Sequence, residues 1–554
     1  MAGSVGASGG SRAASCAFMG RLDLLTTAVY PHEALEDYES GGGGKDAPPP
    51  PRFVLSSPAN VIPVMVGMAR LTFHILRPYV VIGLLFMAGL GSLLGVWGSA
   101  YCLAAAAALV AHLFLLDGRF GRIGSISSLP PGLHYSRSSR AEAIVAMVPA
   151  LRHPHYKGTP WIIGGDMATL YPFLAFRLPA ISYTRRWLTV DADDTRTRPR
   201  CAGGGAGGEN SSRSSTGGGS IGGGSIGDDE IGGGGGGSSS SLDSSDSLDG
   251  FLDCGGVSRD RDDKEAVALD LALPEAGLDP TKPFFLVLHG LTGGSAEAYV
   301  LDFVSHAIER GCGVCVMITR GCMGTPVRGQ NIFHGARISD ARSTVKALRQ
   351  SLPEGTPLAM VGYSMGAIIA KNYAAIAGAD SGVSCCVSMS GSFDTRTNME
   401  SKHSQRVWQP ILAMGLKENF VLKNTPKIAA RGVDLATIER CSNVLEIDTH
   451  LVSPYNGYPG VTDYYADMSA AAGGKIAGLR TPTLAVSALD DPIMTADGAP
   501  IAEVKDIQGL FILLTRRGGH VGWPTGWWPS RNKWSWMSTT SLDFCEAVIA
   551  TAAL

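Results

Sequence analysis

Long runs of lysine or arginine are missing from the chain, and its formal net charge is -3. Nothing in it could track a phosphate backbone, so no nucleic-acid partner is expected. The cysteine pattern of short secreted domains, which implies a disulfide framework, is missing too. The 11 cysteines are scattered through strand-like and helix-like segments, which implies reduced thiols. The single CxxC, Cys312 to Cys315, runs into the apolar stretch VCVMIT without a second CxxC to complete a zinc site, so both thiols are expected to pack on a buried strand. Neither GxGxxG nor GK[ST] occurs as a phosphate-binding loop. No metal and no dissociable cofactor is therefore expected, and the partner left is a small molecule or a membrane. The first residues lack the apolar core of a secretory signal, and their arginines among small residues only faintly resemble a transit peptide.

Apolar periodicity fails in two places. Residues 1–57 are rich in Gly, Ser, Ala and Pro and are expected to be disordered, as is the Gly/Ser-rich stretch 194–263. The second stretch lies between WLTVDA and AVALDLAL, both of which alternate with period two. A hairpin whose turn has been replaced by a loop of roughly 70 residues fits, because closure entropy grows only logarithmically. A linker between two domains is the rival.

Charge is absent altogether from residues 79–116, where no Asp, Glu, Lys or Arg interrupts the run. As one helix that stretch would extend about 57 Å, nearly twice the ~30 Å hydrocarbon core. A transmembrane segment of one or two spans is expected, either a hairpin turning near residues 97–101 or one span continuing into a helix on the membrane. Arg70 and Arg77 on one side and Arg119 and Arg122 on the other leave its orientation open.

From residue 282 onward six apolar runs, FFLVLH, VCVMIT, LAMVGYS, CCVSMSG, TLAVSAL and LFILLT, alternate with helical patterns. Continuous apolar strands separated by helices indicate an α/β fold whose mostly parallel sheet is covered on both faces. Reactive groups then belong just past the carboxyl ends of the strands.

One such position holds GYSMG, residues 362–366, after the strand LAMV and before the helical AIIAKNYAAIA. A serine at a sharp strand-to-helix turn needs small neighbours, which makes Ser364 the candidate nucleophile. A serine hydroxyl needs a general base, and the base an orienting carboxylate. Both follow in the chain order Ser, Asp, His: TLAVSAL ends in Asp490 and Asp491, and LFILLT leads to His520 behind two glycines. Asp491 is preferred to Asp490 because the residue before Pro492 is driven into an extended conformation that projects it from the loop. Oxyanion donors are expected from the backbone N–H of Met365 and, in the loop HGLTGGS, from that of Leu291. His289, at the start of that loop, is expected to be structural.

HGLTGGS, TRGCMGTPV, GYSMG, SALDDPI and GGHVGWPTGWWP, in that order, resemble the membrane-anchored branch of the alpha/beta-hydrolase family, which contains abhydrolase-domain lipases and phospholipases, YheT-type hydrolases and fatty acid ethyl ester synthases. The resemblance begins near residue 155 and omits the tail and the long insert. It implies an alpha/beta-hydrolase domain over residues 155–554, with Ser364 as nucleophile, His520 as base, an aspartate of the DDP turn as its partner, and Leu291 and Met365 as oxyanion donors. It also implies structural roles for the Arg320-Gly321 pair and for Asp340. Residues 392–478, which leave the strand pattern, would form a helical lid over the pocket.

The expected activity is cleavage of carboxylic esters of lipids, acylglycerol, phospholipid or fatty acid ester, by a protein held in the bilayer of the endoplasmic reticulum or another endomembrane. Acyl transfer to an alcohol by the same residues is the first rival, and a catalytically silent binding protein on a membrane tether the second. Of the tryptophans after His520, the WP of Trp528 and Pro529 is expected to pack the last helix. Trp523, Trp527, Trp534 and Trp536 are divided between core packing and a surface at the lipid headgroups.

Overall fold

All six apolar runs become strands of one nine-stranded sheet, in the order β1-β9-β8-β7-β6-β4-β5-β3-β2. The computed structural model describes residues 58–93, 104, 107, 127–190, 265–327 and 331–552. The expected disorder of residues 1–57 and 194–263, and residues 94–103, 105–106 and 108–116 of the expected membrane segment, lie outside the described residues.

The runs correspond to β4 (Phe284–Leu288), β5 (Val314–Ile318), β6 (Leu358–Tyr363), β7 (Cys385–Met389), β8 (Thr483–Ala488) and β9 (Leu510–Thr515), buried at every position. These six pair in parallel, so their carboxyl ends share one edge. A strand covered on both faces has no polar side to alternate with, which is why the runs are continuous. At the rims the direction reverses. β2 (Thr184–Val190) and β3 (Glu265–Ala272) pair antiparallel, with Trp187 opposite Ala268, and β3 joins β5 antiparallel. The other edge is β1 (Gly132–Tyr135), antiparallel to β9. The sheet thus takes in residues upstream of 155, where the sequence had suggested the domain begins. Four residues of mixed polarity give no periodic signal.

The membrane segment also differs from expectation. Helix α1 (Pro58–Leu93) starts well before residue 79 and carries Arg70, His74 and Arg77 within it. Its length and composition suffice to cross a membrane over Asn60–Met87. The charges that seemed to bound the apolar run are accommodated locally: Arg70 Nη1 donates to Arg406 O at 3.1 Å, and Arg77 is buried with its guanidinium 5.8 Å from the ring of Phe73, one turn earlier on the same helix. Asn60, Gly67, Leu71, His74 and Arg77 form one buried stripe, whereas Met65, Leu76, Phe86 and Met87 are exposed.

The other helices that position the site are α2 (Gly165–Ala175), α3 (Ala298–Glu309), α4 (Ser339–Ser351), α5 (Met365–Ala377), α6 (Gln409–Leu416), α7 (Val461–Met468) and α8 (Ser535–Ala550). Between β7 and β8 the chain is a succession of short helical pieces that includes α6 and α7. α1 rests on this insertion: Leu71 packs with Val407, Trp408 and Ile493, and Lys417 Nζ donates to Asn60 Oδ1 at 2.6 Å.

Candidate active site

Between the end of β6 and the start of α5 stands Ser364 alone, at φ 54 and ψ -117. Few L-residues adopt that backbone, and here the surrounding contacts impose it. A Cβ on Gly362 would fall 2.2 Å from Gly366 O, and one on Gly366 would fall 2.2 Å from Leu288 O. The strand and the helix therefore pass too closely for any side chain at either position. The Ser364 N–H donates to Met389 O at 2.9 Å, which ties the turn to β7.

After β9 the two glycines return the chain across the same edge and place His520 against the serine. His520 Nε2 lies 2.8 Å from Ser364 Oγ, and Nδ1 lies 2.8 Å from Asp491 Oδ2. A carboxylate facing Nδ1 fixes the proton there and leaves Nε2 as acceptor for the serine proton. Asp491 is itself held: Oδ1 accepts from the N–H groups of Ile493 and Met494 at 2.8 and 2.9 Å. Asp490 points elsewhere and accepts from the Gly519 N–H at 2.9 Å. Burial pushes the Asp490 carboxyl up to about 7; the Gly519 hydrogen bond opposes this and the Asp491 charge adds to it.

Sequence reasoning missed Thr169, on α2. Its Oγ1 accepts from the His520 N–H at 2.8 Å and donates to Gly165 O at 2.7 Å, so α2 fixes the backbone of the histidine loop. A threonine on a helix 351 residues away in sequence carries no local signal for such a role.

Leu291 and Met365 both line the cavity that opens on Ser364. Met365 begins α5, so its N–H has no intrahelical acceptor. Leu291 sits in the turn after β4 closed by Gly293 N–H to Gly290 O at 3.1 Å. His289 does not reach the serine. Burial lowers its imidazole to about 4, so the ring is neutral; Nδ1 donates to Gly290 O at 2.7 Å and Nε2 accepts from the Thr319 N–H at 3.2 Å. Arg320 and Asp340 form a buried bidentate pair, with bonds of 2.9 and 2.6 Å, that ties α4 to the end of β5. Cys312 and Cys315 are buried free thiols. Burial raises both, Cys312 to about 12, which leaves them unreactive at neutral pH.

Of the tryptophans, two take the core positions expected of them and Trp528 does not. Trp523 and Trp534 are fully buried, with Nε1 donating to Thr515 Oγ1 at 3.0 Å and to Val521 O at 2.7 Å. Trp536 is half-buried and stacks on Trp523. Trp528, expected to pack the last helix, is exposed together with Trp527, at 61% each.

The cavity measures about 290 Å³ and is walled by α2, the loop after β4 and the insertion between β7 and β8. Its lining is mainly apolar, with Phe173, Phe333, Leu412, Met468 and Ile493 among the contributors. An apolar cleft lined in part by a hydrogen-bonded Ser-His-Asp chain can hold a chain of methylenes and present one carbonyl to the serine.

Residues 283–433 match the family model described as the alpha/beta hydrolase fold. The chain is 32% identical over 260 residues to a monoacylglycerol lipase of Saccharomyces cerevisiae, covering 45% of this chain and 57% of that protein. It is 32% identical over 268 residues to the putative esterase YheT of Escherichia coli, covering 47% of this chain and 77% of that one. With phospholipase ABHD3 of Homo sapiens it shares 25% identity over 277 residues, 49% of this chain and 65% of the relative. The match to the yeast lipase thus spans less than two thirds of that relative's length.

Proposed function

The chain belongs to the alpha/beta-hydrolase family, and from that premise we propose that it is a membrane-anchored serine hydrolase cleaving carboxylic esters of lipids through an acyl-enzyme. The observation that carries this is the unbroken hydrogen-bonded chain Ser364 Oγ, His520 Nε2, His520 Nδ1, Asp491 Oδ2 at the floor of an apolar cavity.

In the proposed reaction Ser364 Oγ attacks the ester carbonyl while His520 Nε2 takes its proton, and Asp491 stabilises the imidazolium without taking a proton itself. The tetrahedral oxyanion rests on the N–H groups of Leu291 and Met365. His520 then protonates the departing alcohol and activates a water that frees the acid. An alcohol in place of that water would give acyl transfer by the same residues.

Membrane attachment is supported by α1 and by what lies beside it. Between Ile62 and Met87 the outer face of α1 exposes large apolar side chains, among them Met65, Leu76, Leu85 and Phe86. Tyr79 donates to Trp161 O at 2.6 Å, and Trp161 Nε1 donates to Trp527 O at 2.8 Å. The exposed Trp527 and Trp528 therefore stand beside the helix, where amphipathic rings suit a lipid headgroup layer. Trp408 and Ile493 line the cavity on one side and pack under Leu71 on the other, so anchor and cavity share a wall. In this reading the insertion of residues 392–478 is the lid, and lipid enters from the anchored side.

A fluorophosphonate probe should label the native protein and not Ser364→Ala. Lipids extracted from the same membrane bearing either form should show an ester accumulating with the variant. Equal labelling of both forms would overturn the nucleophile, and an unchanged lipid profile would overturn the substrate class.

A further inference from the structure

A carboxyl group that the proposed reaction does not use faces the same cavity. Asp448 begins the π-helical turn Asp448–Val452 of the insertion and is only 7% exposed, yet it belongs to the cavity lining together with Ser364. One hydrogen bond holds it: the Tyr465 hydroxyl, from α7, donates to Oδ2 at 2.8 Å. Among the described residues no lysine, arginine or histidine lies within ion-pair distance of it. Tyr464, Tyr465, Val444, Leu445 and Met468 supply the lining around this part of the insertion.

Burying a carboxyl in such a wall is costly unless something compensates it. Burial pushes the Asp448 carboxyl up to about 7, against the opposing hydrogen bond of Tyr465. If the residue only braced the insertion, an amide or a pair of apolar side chains would do so at lower cost. A carboxyl oriented by a tyrosine on one oxygen, with the other oxygen available to a ligand in the cavity, is instead the arrangement of a selective acceptor. A cationic ligand would require the ionised acid and the cation both to be desolvated, whereas a hydroxyl can meet the group at smaller cost.

We propose that Asp448, oriented by Tyr465, is a specificity-determining residue that accepts a hydrogen bond from a free hydroxyl of the ester, so that partial esters of a polyol are favoured over esters of simple alcohols carrying the same acyl chain. This rests on the assignment of Ser364 as an ester-cleaving nucleophile. The name of one relative, monoacylglycerol lipase, includes such a partial ester but assigns the choice to no residue. A site built to bond a hydroxyl discriminates strongly against the analogue that lacks it, because the acceptor is then left buried and unpaired.

The test uses the full chain in detergent with three esters of one medium-chain acid: a monoacylglycerol, the methyl ester and the acylcholine. For the native protein, kcat/KM for the monoacylglycerol should exceed that for the methyl ester by at least about thirtyfold. In Asp448→Leu that ratio should collapse to within about threefold of one, with Asp448→Asn intermediate because its amide oxygen still accepts. Tyr465→Phe should lower the ratio severalfold by releasing the carboxyl.

The proposal is overturned if the native protein cleaves the methyl ester without preferring the monoacylglycerol, a result that needs no variant. It is overturned also if the acylcholine is preferred to the monoacylglycerol, or if Asp448→Leu slows both neutral esters in parallel and leaves their ratio intact, as a bracing role would. Failure of the native protein to cleave any of the three, together with no fluorophosphonate labelling at Ser364, would instead remove the hydrolase assignment and this proposal with it.

Discussion

Two adjacent aspartates do different work at the end of β8. The rule that a residue before proline is extended favoured Asp491, and Asp491 is the one the structure brings to His520 Nδ1, at 2.8 Å. What the rule could not reveal is the use of Asp490, because the Gly519 N–H that it holds comes from a different strand end. Asp491→Asn should keep the geometry but present an amide to Nδ1, disfavour the productive tautomer, and lower kcat by about ten-thousandfold. Asp490→Asn keeps an acceptor for Gly519 and should cost far less, which single-turnover kinetics with a soluble ester would measure. Its larger effect should be on stability. The folded carboxyl titrates near 7, above the ~3.9 of an unfolded chain, so the native state holds the proton more tightly. Stability from this group is complete below about pH 4 and is lost as pH rises to about 7. Asp490→Asn should therefore melt a few degrees above the native protein at pH 8, with the gain vanishing toward pH 4. Thermal melts across that range that stay parallel would count against the buried acid.

At the scale of elements, legibility followed burial. The six parallel strands could be read because both of their faces are covered, which leaves uninterrupted apolar runs such as LFILLT. β1 could not, since Gly132–Tyr135 is a short half-buried edge strand whose only reason to be a strand is its partner β9. The start of α1 was hidden by Arg70 and Arg77: Arg70 donates to the distant Arg406 O, and Arg77 is buried beside the Phe73 ring. The buried tryptophans were ambiguous for the same reason: Trp523 and Trp534 could enter the core only because Thr515 and Val521 accept from their indoles. Helix α2 is the clearest element that sequence undervalued. A Cβ on its first residue, Gly165, would lie 1.6 Å from Asp490 O, so the helix rests directly on the acid turn while Thr169 holds the histidine loop. Gly165→Ala should thus move the loops that carry Asp491 and His520 at once. We expect about 1–3 kcal/mol of destabilisation by overpacking and at least a tenfold fall in kcat on a soluble ester. A melt lowered with kcat intact would show that α2 supports the fold without setting the geometry of the site.

For the molecule as a whole, the sequence suggested an apolar membrane segment followed by a separate alpha/beta-hydrolase domain beginning near residue 155. α1 is instead built into the domain. Leu71 closes an apolar cluster with Val407, Trp408 and Ile493, and a Cβ on Gly67 would meet Val407 O at 2.9 Å, so the helix lies close against the insertion. Lys417, fully buried, divides its ammonium among Asn60 Oδ1, Glu439 O and Cys441 O. Removing the helix takes one of those three acceptors away and opens the outer side of a wall whose inner side lines the cavity. A tether and a structural helix predict different things for a chain lacking residues 1–93. A tether predicts a protein released from the membrane with full activity on a water-soluble ester. The packing described here predicts that activity on the soluble ester falls at least tenfold, that the melt drops, and that Lys417→Met restores part of the lost stability by removing an ammonium left short of partners. Replacing the exposed pair Trp527 and Trp528 by Ala in the full chain should do the reverse, sparing soluble-ester turnover while lowering hydrolysis of ester embedded in vesicles. Full soluble-ester activity in the truncated chain would return α1 to the role of a simple tether, and loss of both activities in the tryptophan variant would make Trp527 and Trp528 structural rather than membrane-facing.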